Sequence, residues 1–314
     1  MHIDLSLSVA GLLVGLLVGL TGMGGGALLT PLLVLFFRVE PLAAISSDLL
    51  TSLVMKPVGG AVHLRRRTVN WRLVGLLSAS SVPSAFAGAV LIGLVGRRAG
   101  MADDLKLVIG VALCASVAMM LARQLVDRRR NRRRDAAAGT PGDADREVVI
   151  HPGRTLVIGA IGGFAVGLTS VGAGSVIIAL LLIAYPALRP AQLVGTDIVQ
   201  AIPLVAAATL GHLLFGDVRF ALTTALLLGA LPGVYLGARL SAQGPAAVIR
   251  PVVTAVLLAS ALALLKVATP VILLGAVAGL VASAVLPARR PAATASAGRK
   301  ATKGAPLPQF DPIS

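Results

Sequence analysis

The octapeptide GLTGMGGG at residues 19–26 recurs in a weaker form as GLTSVGAG at residues 167–174, and both copies separate two apolar runs. The copies are 148 positions apart (167 minus 19) in a chain of 314 residues. Glycine adopts backbone conformations that other residues avoid and it weakens helices, so this motif indicates a break between two helices. The sequence therefore predicts two helix breaks at equivalent places in an internally repeated chain.

The repeat extends well beyond the two breaks. After a shift of one position, six residues of the first half recur 149 positions later (190 minus 41). The six are Pro41, Asp48, His63, Val69, Pro83 and Gly88, which match Pro190, Asp197, His212, Val218, Pro232 and Gly237. Apolar matches are common by chance in so apolar a chain, whereas aspartates and histidines in register are not. Paired repeats with interrupted segments are typical of secondary transporters.

The composition around these motifs is that of a membrane protein. Charged residues make up 13% of the chain and hydrophobic residues 56%, whereas a soluble domain has about 25% charged residues. The aromatic content of 3% and the abundance of glycine argue against a β-barrel with aromatic girdles and favour helices packed through small residues. We predict an all-α polytopic membrane protein with about 8–11 hydrophobic segments, given about 20 residues per crossing.

The apolar runs define the organisation of the chain. They lie near residues 5–20, 26–37, 42–63, 72–95 and 104–126, near 155–169, 173–185, 190–213, 219–241 and 249–266, and at 268–287. This pattern predicts five parts: a first transmembrane repeat (1–126), an Arg-rich linker (127–154), a second transmembrane repeat (155–266), an extra transmembrane helix (267–287) and a disordered basic tail (288–314).

Basic residues flank the apolar runs and predict the orientation of the chain. Arginines crowd the loop at 63–72, six more lie between Arg128 and Arg134, and the tail is basic. Positive charge marks the cytoplasmic side of a membrane. The loop around 215–219, which is equivalent to 63–72, carries only one arginine and one aspartate. We therefore predict that the linker and the tail are cytoplasmic, that the amino terminus is outside, and that the second repeat is inverted.

The net charge of +15 would suggest nucleic acid as a partner of a soluble protein. Because the charge lies beside apolar runs, we expect the Arg-rich loops to contact anionic lipids of the bilayer instead. No nucleic-acid partner is expected, and assembly into a homo-oligomer stays open.

The helix breaks are the first candidate for a substrate site. Each break starts a short helix, whose free N–H groups and positive dipole end can bind an anion inside the membrane. The predicted binding residues are Thr21, Gly24, Gly25, Gly26, Thr169, Ser170, Gly172 and Gly174. Close helix packing through small residues is the alternative explanation of the glycines. Duplication at matching positions favours an anion site at the midplane between the two breaks.

Three ionisable residues lie inside apolar segments, where a charge is costly unless it faces a cavity or a partner. Asp48 and Asp197 lie at equivalent positions, and two roles stay open for them: gating or proton coupling, and the bracing of a neighbouring helix. Lys56 has no counterpart, because Val205 lies at the equivalent position. This lysine either attracts the anion near the pore or extends towards the inner surface.

Enzymatic motifs are missing from the sequence. Asp48 lies in ISSDLL and Asp197 in VGTDIV, so neither fits the GxGD pattern of one class of intramembrane protease. There is no Walker motif, metal-ligand cluster or nucleophile elbow. We therefore expect that the protein is not an enzyme, and we expect neither a cofactor nor a metal.

Two stretches of the first half resemble a known family. They are GLTGMGGGALLTPLL (19–33) and AISSDLLTSLVMKPVGGAVHLRRRTVNWRL (44–73), and a weaker copy follows in the second half. Together they are similar to the sulfite exporter TauE/SafE family of membrane permeases, over residues 5–266. The long Arg-rich linker, the extra final segment and Lys56 depart from that pattern.

The resemblance implies a secondary transporter in the cytoplasmic membrane of a prokaryote. It implies an exporter of a small anionic substrate, namely sulfite, a sulfonate or a related organosulfur anion. A passive anion channel and a membrane scaffold that transports nothing are the alternatives.

Overall fold

A computed structural model of the chain describes residues 5–21, 26–65, 69–98, 100–136, 150–172, 176–185, 188, 190–241 and 246–285. All regular secondary structure within these ranges is helical. The helices are α1 (Leu5–Thr21), α2 (Gly26–Leu35), α3 (Pro41–Arg65), α4 (Trp71–Gly96), α5 (Ala102–Ala136), α6 (Pro152–Thr169), α7 (Val176–Ala184), α8 (Pro190–Phe215), α9 (Phe220–Ser241), α10 (Ala246–Leu264) and α11 (Thr269–Val285).

Each predicted apolar segment corresponds to one helix, in the same order, and the all-α prediction is confirmed. The largest difference concerns α5, which extends to Ala136, ten residues (136 minus 126) past the predicted end of the first repeat. Arginine is a good helix former, so a helix continues through an Arg-rich sequence after its apolar part ends. Residues 127–136 of the predicted linker are therefore helical, and α6 begins at Pro152 rather than 155. The division into domains stays a prediction.

Five helices of the described chain are long and apolar enough to cross a membrane. The qualifying spans are Trp71–Gly96, Ala102–Val126, Pro152–Thr169, Gln192–Phe215 and Phe220–Gly237. With a rise of about 1.5 Å per residue, α4 is about 39 Å long, which exceeds the hydrocarbon thickness of about 30 Å. Large apolar side chains such as Leu94 and Leu228 are exposed on these helices, as expected for a surface that faces lipid. The chain is a multi-pass membrane protein.

The two repeats interlock through two equivalent helix pairs. Helix α1 packs along α9, and α6 packs along α4; these pairs correspond, because α1 is equivalent to α6 and α4 to α9. Both pairs pack through glycine. A Cβ atom on Gly11 would lie 2.5 Å from the carbonyl oxygen of Leu226, and one on Gly159 would lie 2.7 Å from that of Leu77. The small residues thus bring the helix backbones of the two repeats into contact.

Helices α3 and α8, which are also equivalent, pack in antiparallel directions. The N–H group of Asp217, after α8, donates to Ser46 Oγ near the start of α3 at 3.3 Å. The N–H group of Asn70, after α3, donates to Thr196 Oγ1 near the start of α8 at 3.0 Å. An inverted second repeat predicts this antiparallel pairing. The orientation of the repeats in the bilayer stays a prediction.

Polar contacts join several helix connections at one end of the molecule. They are Arg219 Nη2 with Glu40 Oε2 at 3.3 Å, Arg97 Nη2 with the carbonyl oxygen of Gly216 at 2.8 Å, and Lys266 Nζ with Asp103 Oδ2 at 2.8 Å. These contacts link the connections that follow α2, α4, α8 and α10. The predicted topology assigns all four connections to the outer side.

Candidate functional site

The two glycine-rich breaks lie against each other. Helix α2 begins at Gly26, and Ser170 follows the last residue of α6. The backbone oxygen of Ser170 packs so closely on Gly26 that no Cβ fits there, and Ser170 Oγ would lie 2.7 Å from such an atom. The structure therefore brings together one residue from each predicted half of the site.

The break after α6 has a backbone that favours its small residues. Ser170 has a φ of 59° and Gly172 a φ of 114°, both in the left-handed range, where glycine has no steric penalty. The Thr169 hydroxyl accepts the N–H of Val171 at 3.2 Å and donates to the carbonyl oxygen of Ala165 at 2.8 Å. Thr169, a predicted substrate contact, thus uses its hydroxyl to hold the break itself.

Some of the predicted binding residues fall outside the described part of the chain. Gly24, Gly25 and Gly174 are among them, and so is the side chain of Thr21, the last residue of α1. Gly26, Thr169, Ser170 and Gly172 are described and buried. Their predicted role in binding an anion stays a prediction.

Asp48 is fully buried in α3 and is held by two hydroxyl groups. Thr30 Oγ1, one turn into α2, donates to Asp48 Oδ2 at 2.6 Å, and Ser52 Oγ donates to Asp48 Oδ1 at 3.4 Å. The hydroxyl of Ser170 lies near the same carboxylate, but its geometry makes no hydrogen bond with any described residue. Asp48 therefore ties α3 to the short helix that starts at the first break.

Asp197 occupies the equivalent position in α8 but has different neighbours. It is 1% exposed, and its Oδ1 atom has no hydrogen-bond partner within the described residues. The repeat explains the difference. Ile178 and Ala201 lie at the positions equivalent to Thr30 and Ser52 (30 plus 148, and 52 plus 149), so the second repeat lacks both hydroxyl donors.

Lys56 lies two turns after Asp48 in α3 and interacts electrostatically with both Asp48 and Asp197. The residue is half-buried, and its ammonium group is attracted by both Asp48 and Asp197. Arg123 of α5 also acts on Asp197. The site thus combines two carboxylates with two cations. This environment favours the interior role of Lys56 over extension to the inner surface.

Comparison with known proteins identifies the family. Residues 7–264 match the family model described as Sulfite exporter TauE/SafE. The chain belongs to this family. The matched region ends before α11, and the resemblance seen in the sequence is confirmed.

Several relatives of this transporter are described as membrane transporters. It is 35% identical to the "Probable membrane transporter protein YjnA" of Bacillus subtilis over 83% of this chain and all of YjnA. It is 23% identical to YdhB of the same organism, over 76% of this chain and 90% of YdhB. A probable membrane transporter protein of Methanocaldococcus jannaschii is 26% identical over 73% of this chain and 82% of its own length. No solved structure matches the chain significantly.

His212 is a residue of this TauE/SafE transporter whose place the sequence did not reveal. The sequence places it at the end of an apolar segment, yet it is fully buried. Its Nδ1 atom lies 2.8 Å from Ser46 Oγ, and its Nε2 atom lies 2.9 Å from the carbonyl oxygen of Gly167. A carbonyl oxygen only accepts, so Nε2 carries the hydrogen. His212 thus connects α3, α6 and α8 beside the second break.

Gln200 is a second such residue in the transporter. It is fully buried in α8, and its Nε2 atom donates to Ser81 Oγ of α4 at 2.6 Å. Its Oε1 atom has no hydrogen-bond partner in the described chain. The sequence contains one indication of its role, namely a polar side chain one turn after Asp197 within an apolar segment.

Proposed function

We propose that this transporter exports sulfite, a sulfonate or a related small organosulfur anion, and that the anion binds where the two helix breaks meet. The single observation that carries the location is the Ser170 hydroxyl. It is buried, it lacks a hydrogen-bond partner among the described residues, and it lies beside the first residue of α2.

A buried hydroxyl without a partner is costly, at about 1–3 kcal/mol. An oxyanion accepts hydrogen bonds, so its binding would recover this cost. The first N–H groups of a helix have no intrahelical acceptor, and the positive end of the helix dipole favours an anion. Ser170 and the start of α2 therefore offer complementary donors to one small oxyanion.

The charges near the breaks support the same proposal. Asp48 lies close to Ser170 and would repel an anion in a medium of low dielectric constant. Lys56 offsets this repulsion, because it acts on both aspartates and carries the positive charge that an incoming anion would share. Lys56 and Arg123 together balance the two aspartates, so an anion can approach Lys56 without meeting a net negative charge.

The substrate class follows from the printed description of the family, a sulfite exporter. The relatives' names support membrane transport and specify no substrate. The proposed direction, export, follows the same description. We further propose that the Arg-rich loops contact anionic lipids, as the basic residues beside the apolar runs suggest.

Flux into proteoliposomes tests the function directly. Purified protein should exchange radiolabelled sulfite with saturating kinetics, and methanesulfonate should compete, whereas chloride should compete weakly. Flux that does not saturate would favour the passive channel, and no flux of any anion would favour the scaffold. Either result would overturn the proposed transport.

The location has its own variant. Ser170→Gly keeps the left-handed backbone and removes the hydroxyl group together with its Cβ atom. We expect it to raise the half-saturating sulfite concentration about tenfold, as loss of one hydrogen bond to a charged group implies. Unchanged saturation in this variant would place the anion elsewhere.

A further inference from the structure

We propose that Asp197, and not its repeat-equivalent Asp48, binds and releases the proton that couples transport, and that Gln200 Oε1 accepts the hydrogen of the protonated carboxyl group. This inference rests on the proposed function and assigns its coupling to one residue. It is carried by the different hydrogen-bond partners of two aspartates that the repeat makes equivalent.

Each carboxylate oxygen of Asp48 already accepts a hydrogen bond from a hydroxyl group. Thr30 donates to its Oδ2 atom and Ser52 to its Oδ1 atom, at 2.6 and 3.4 Å. A proton on Asp48 would neutralise the carboxylate and weaken both of these charge-assisted hydrogen bonds inside a fully buried site. Asp48 is therefore suited to bracing α3 against α2.

Asp197 has a vacant acceptor, and a second one lies one helical turn away. Asp197 Oδ1 and Gln200 Oε1 are buried, and neither has a hydrogen-bond partner among the described residues. Residues three positions apart lie on the same face of a helix. Two acceptors cannot bond to each other, but a proton on Asp197 Oδ1 makes it a donor to Gln200 Oε1 and satisfies both.

One end of the Gln200 amide is already fixed by a hydrogen bond. Its nitrogen donates to Ser81 Oγ of α4 at 2.6 Å, which leaves the amide oxygen available on the other side. The amide is thus held between α4 and α8. Its oxygen meets the requirement for a fixed acceptor of a carboxyl hydrogen.

The charged neighbours connect this proton to the substrate. Lys56 of α3 and Arg123 of α5 act on Asp197, and Asp48 shares Lys56. When Asp197 is ionised, it competes with an incoming anion for Lys56. When Asp197 is protonated, Lys56 is released to the anion, so binding of the proton and binding of the anion favour each other. The two then cross the membrane in the same direction, and the outward gradient of the anion drives export. This coupling is reciprocal, as linkage requires.

Transport by two aspartate variants separates the residues. Asp197→Asn keeps the size of the side chain and removes the titratable group. We expect this variant to lose accumulation of sulfite driven by an imposed pH gradient and to retain exchange at equal pH. Asp48→Asn removes a charge beside the anion and should change the half-saturating sulfite concentration, but it should retain its response to the gradient. An Asp197→Asn protein that still accumulates sulfite would overturn the inference, and so would accumulation driven by a sodium gradient at equal pH.

Gln200→Leu tests the acceptor. Without the amide oxygen, the protonated carboxyl group loses its partner, so the pH profile of gradient-driven accumulation should move towards acid. A profile identical to that of the wild type would contradict the role of Gln200.

Infrared difference spectroscopy in lipid tests the proton site without any substrate. Acidification should produce the C=O stretch of a buried carboxylic acid in the wild type and in Asp48→Asn, and this band should be absent from Asp197→Asn. Loss of the band in Asp48→Asn instead would overturn the assignment. A band assigned to Asp197 in a protein without any anion flux would refute the proposed substrate and support the proton site. The two failures are therefore distinguishable, and the spectrum decides even if Asp197→Asn carries no flux.

Discussion

At the scale of single residues, the internal repeat predicts which residues occupy equivalent positions, but it does not predict which side chains contact them. The sequence places Asp48 and Asp197 in register, and both are buried. Their hydrogen bonds differ because Thr30 contacts Asp48, whereas an apolar residue lies at the equivalent position of the second repeat. That substitution is visible in the sequence. It becomes informative only when the fold shows which side chain reaches the aspartate.

The bracing of Asp48 gives a prediction about stability. Thr30→Val keeps the shape of the side chain and removes the donor to Asp48, so a buried carboxylate oxygen loses its closest hydrogen bond. We expect the free energy of unfolding to fall by about 1–3 kcal/mol, measured as thermal stability in detergent. Thr30→Ser retains the hydroxyl and should lose much less. Equal losses in both variants would mean that the hydrogen bond contributes little.

At the scale of helices, hydropathy predicts where the helices lie but not which residues of different helices come into contact. The apolar runs locate every helix of the described chain, because charged residues and glycine or proline mark their ends. Hydropathy does not predict the extension of α5 to Ala136, because it detects the apolar part of a helix and not a polar continuation of it. The contact between Gly26 and Ser170 also escapes it. Residues so far apart in sequence meet only through packing of the two repeats.

The contact between the breaks predicts the effect of a single methyl group. Gly26→Ala places a Cβ atom against the backbone oxygen of Ser170. A backbone atom cannot move aside as the end of a flexible side chain can. We expect sulfite flux to fall at least tenfold while the protein still inserts into the membrane. Gly75→Ala is the matched control, since nothing lies within 4 Å of a Cβ atom there. Normal flux in Gly26→Ala would show that the breaks separate freely.

Gly172 gives a related prediction for the second break. Its φ of 114° is one that residues with a Cβ atom rarely adopt. A Cβ atom on Gly172 would also lie 3.2 Å from Val176 Cγ2. Gly172→Val, and the same change at Gly24 in the first break, should abolish flux and preserve insertion. If both variants transport sulfite normally, the breaks do not form the anion site.

At the scale of the whole molecule, the contacts agree with the charge distribution. Helices α3 and α8 pack in antiparallel directions, and the connection that contains Arg219 is the one that the charge difference between equivalent loops assigns to the outer face. We therefore predict that the linker and the tail are cytoplasmic. The family and the helix order were accessible from the sequence, whereas the interlocking of α1 with α9 was not.

Cysteine labelling checks this topology. In a Cys114→Ala background, a cysteine that replaces Thr140 of the linker should resist an impermeant thiol reagent in intact cells. A cysteine that replaces Asp217, whose side chain is 42% exposed, should react. The reverse pattern would rule out the inverted arrangement.

Equilibrium binding of radiolabelled sulfite to the purified transporter shows directly whether the anion site exists. We expect saturable binding at one site per chain, weakened about tenfold in Ser170→Gly and unchanged in Gly75→Ala. No saturable binding to the wild type, or equal affinity in Ser170→Gly, would contradict an anion site where the two helix breaks meet.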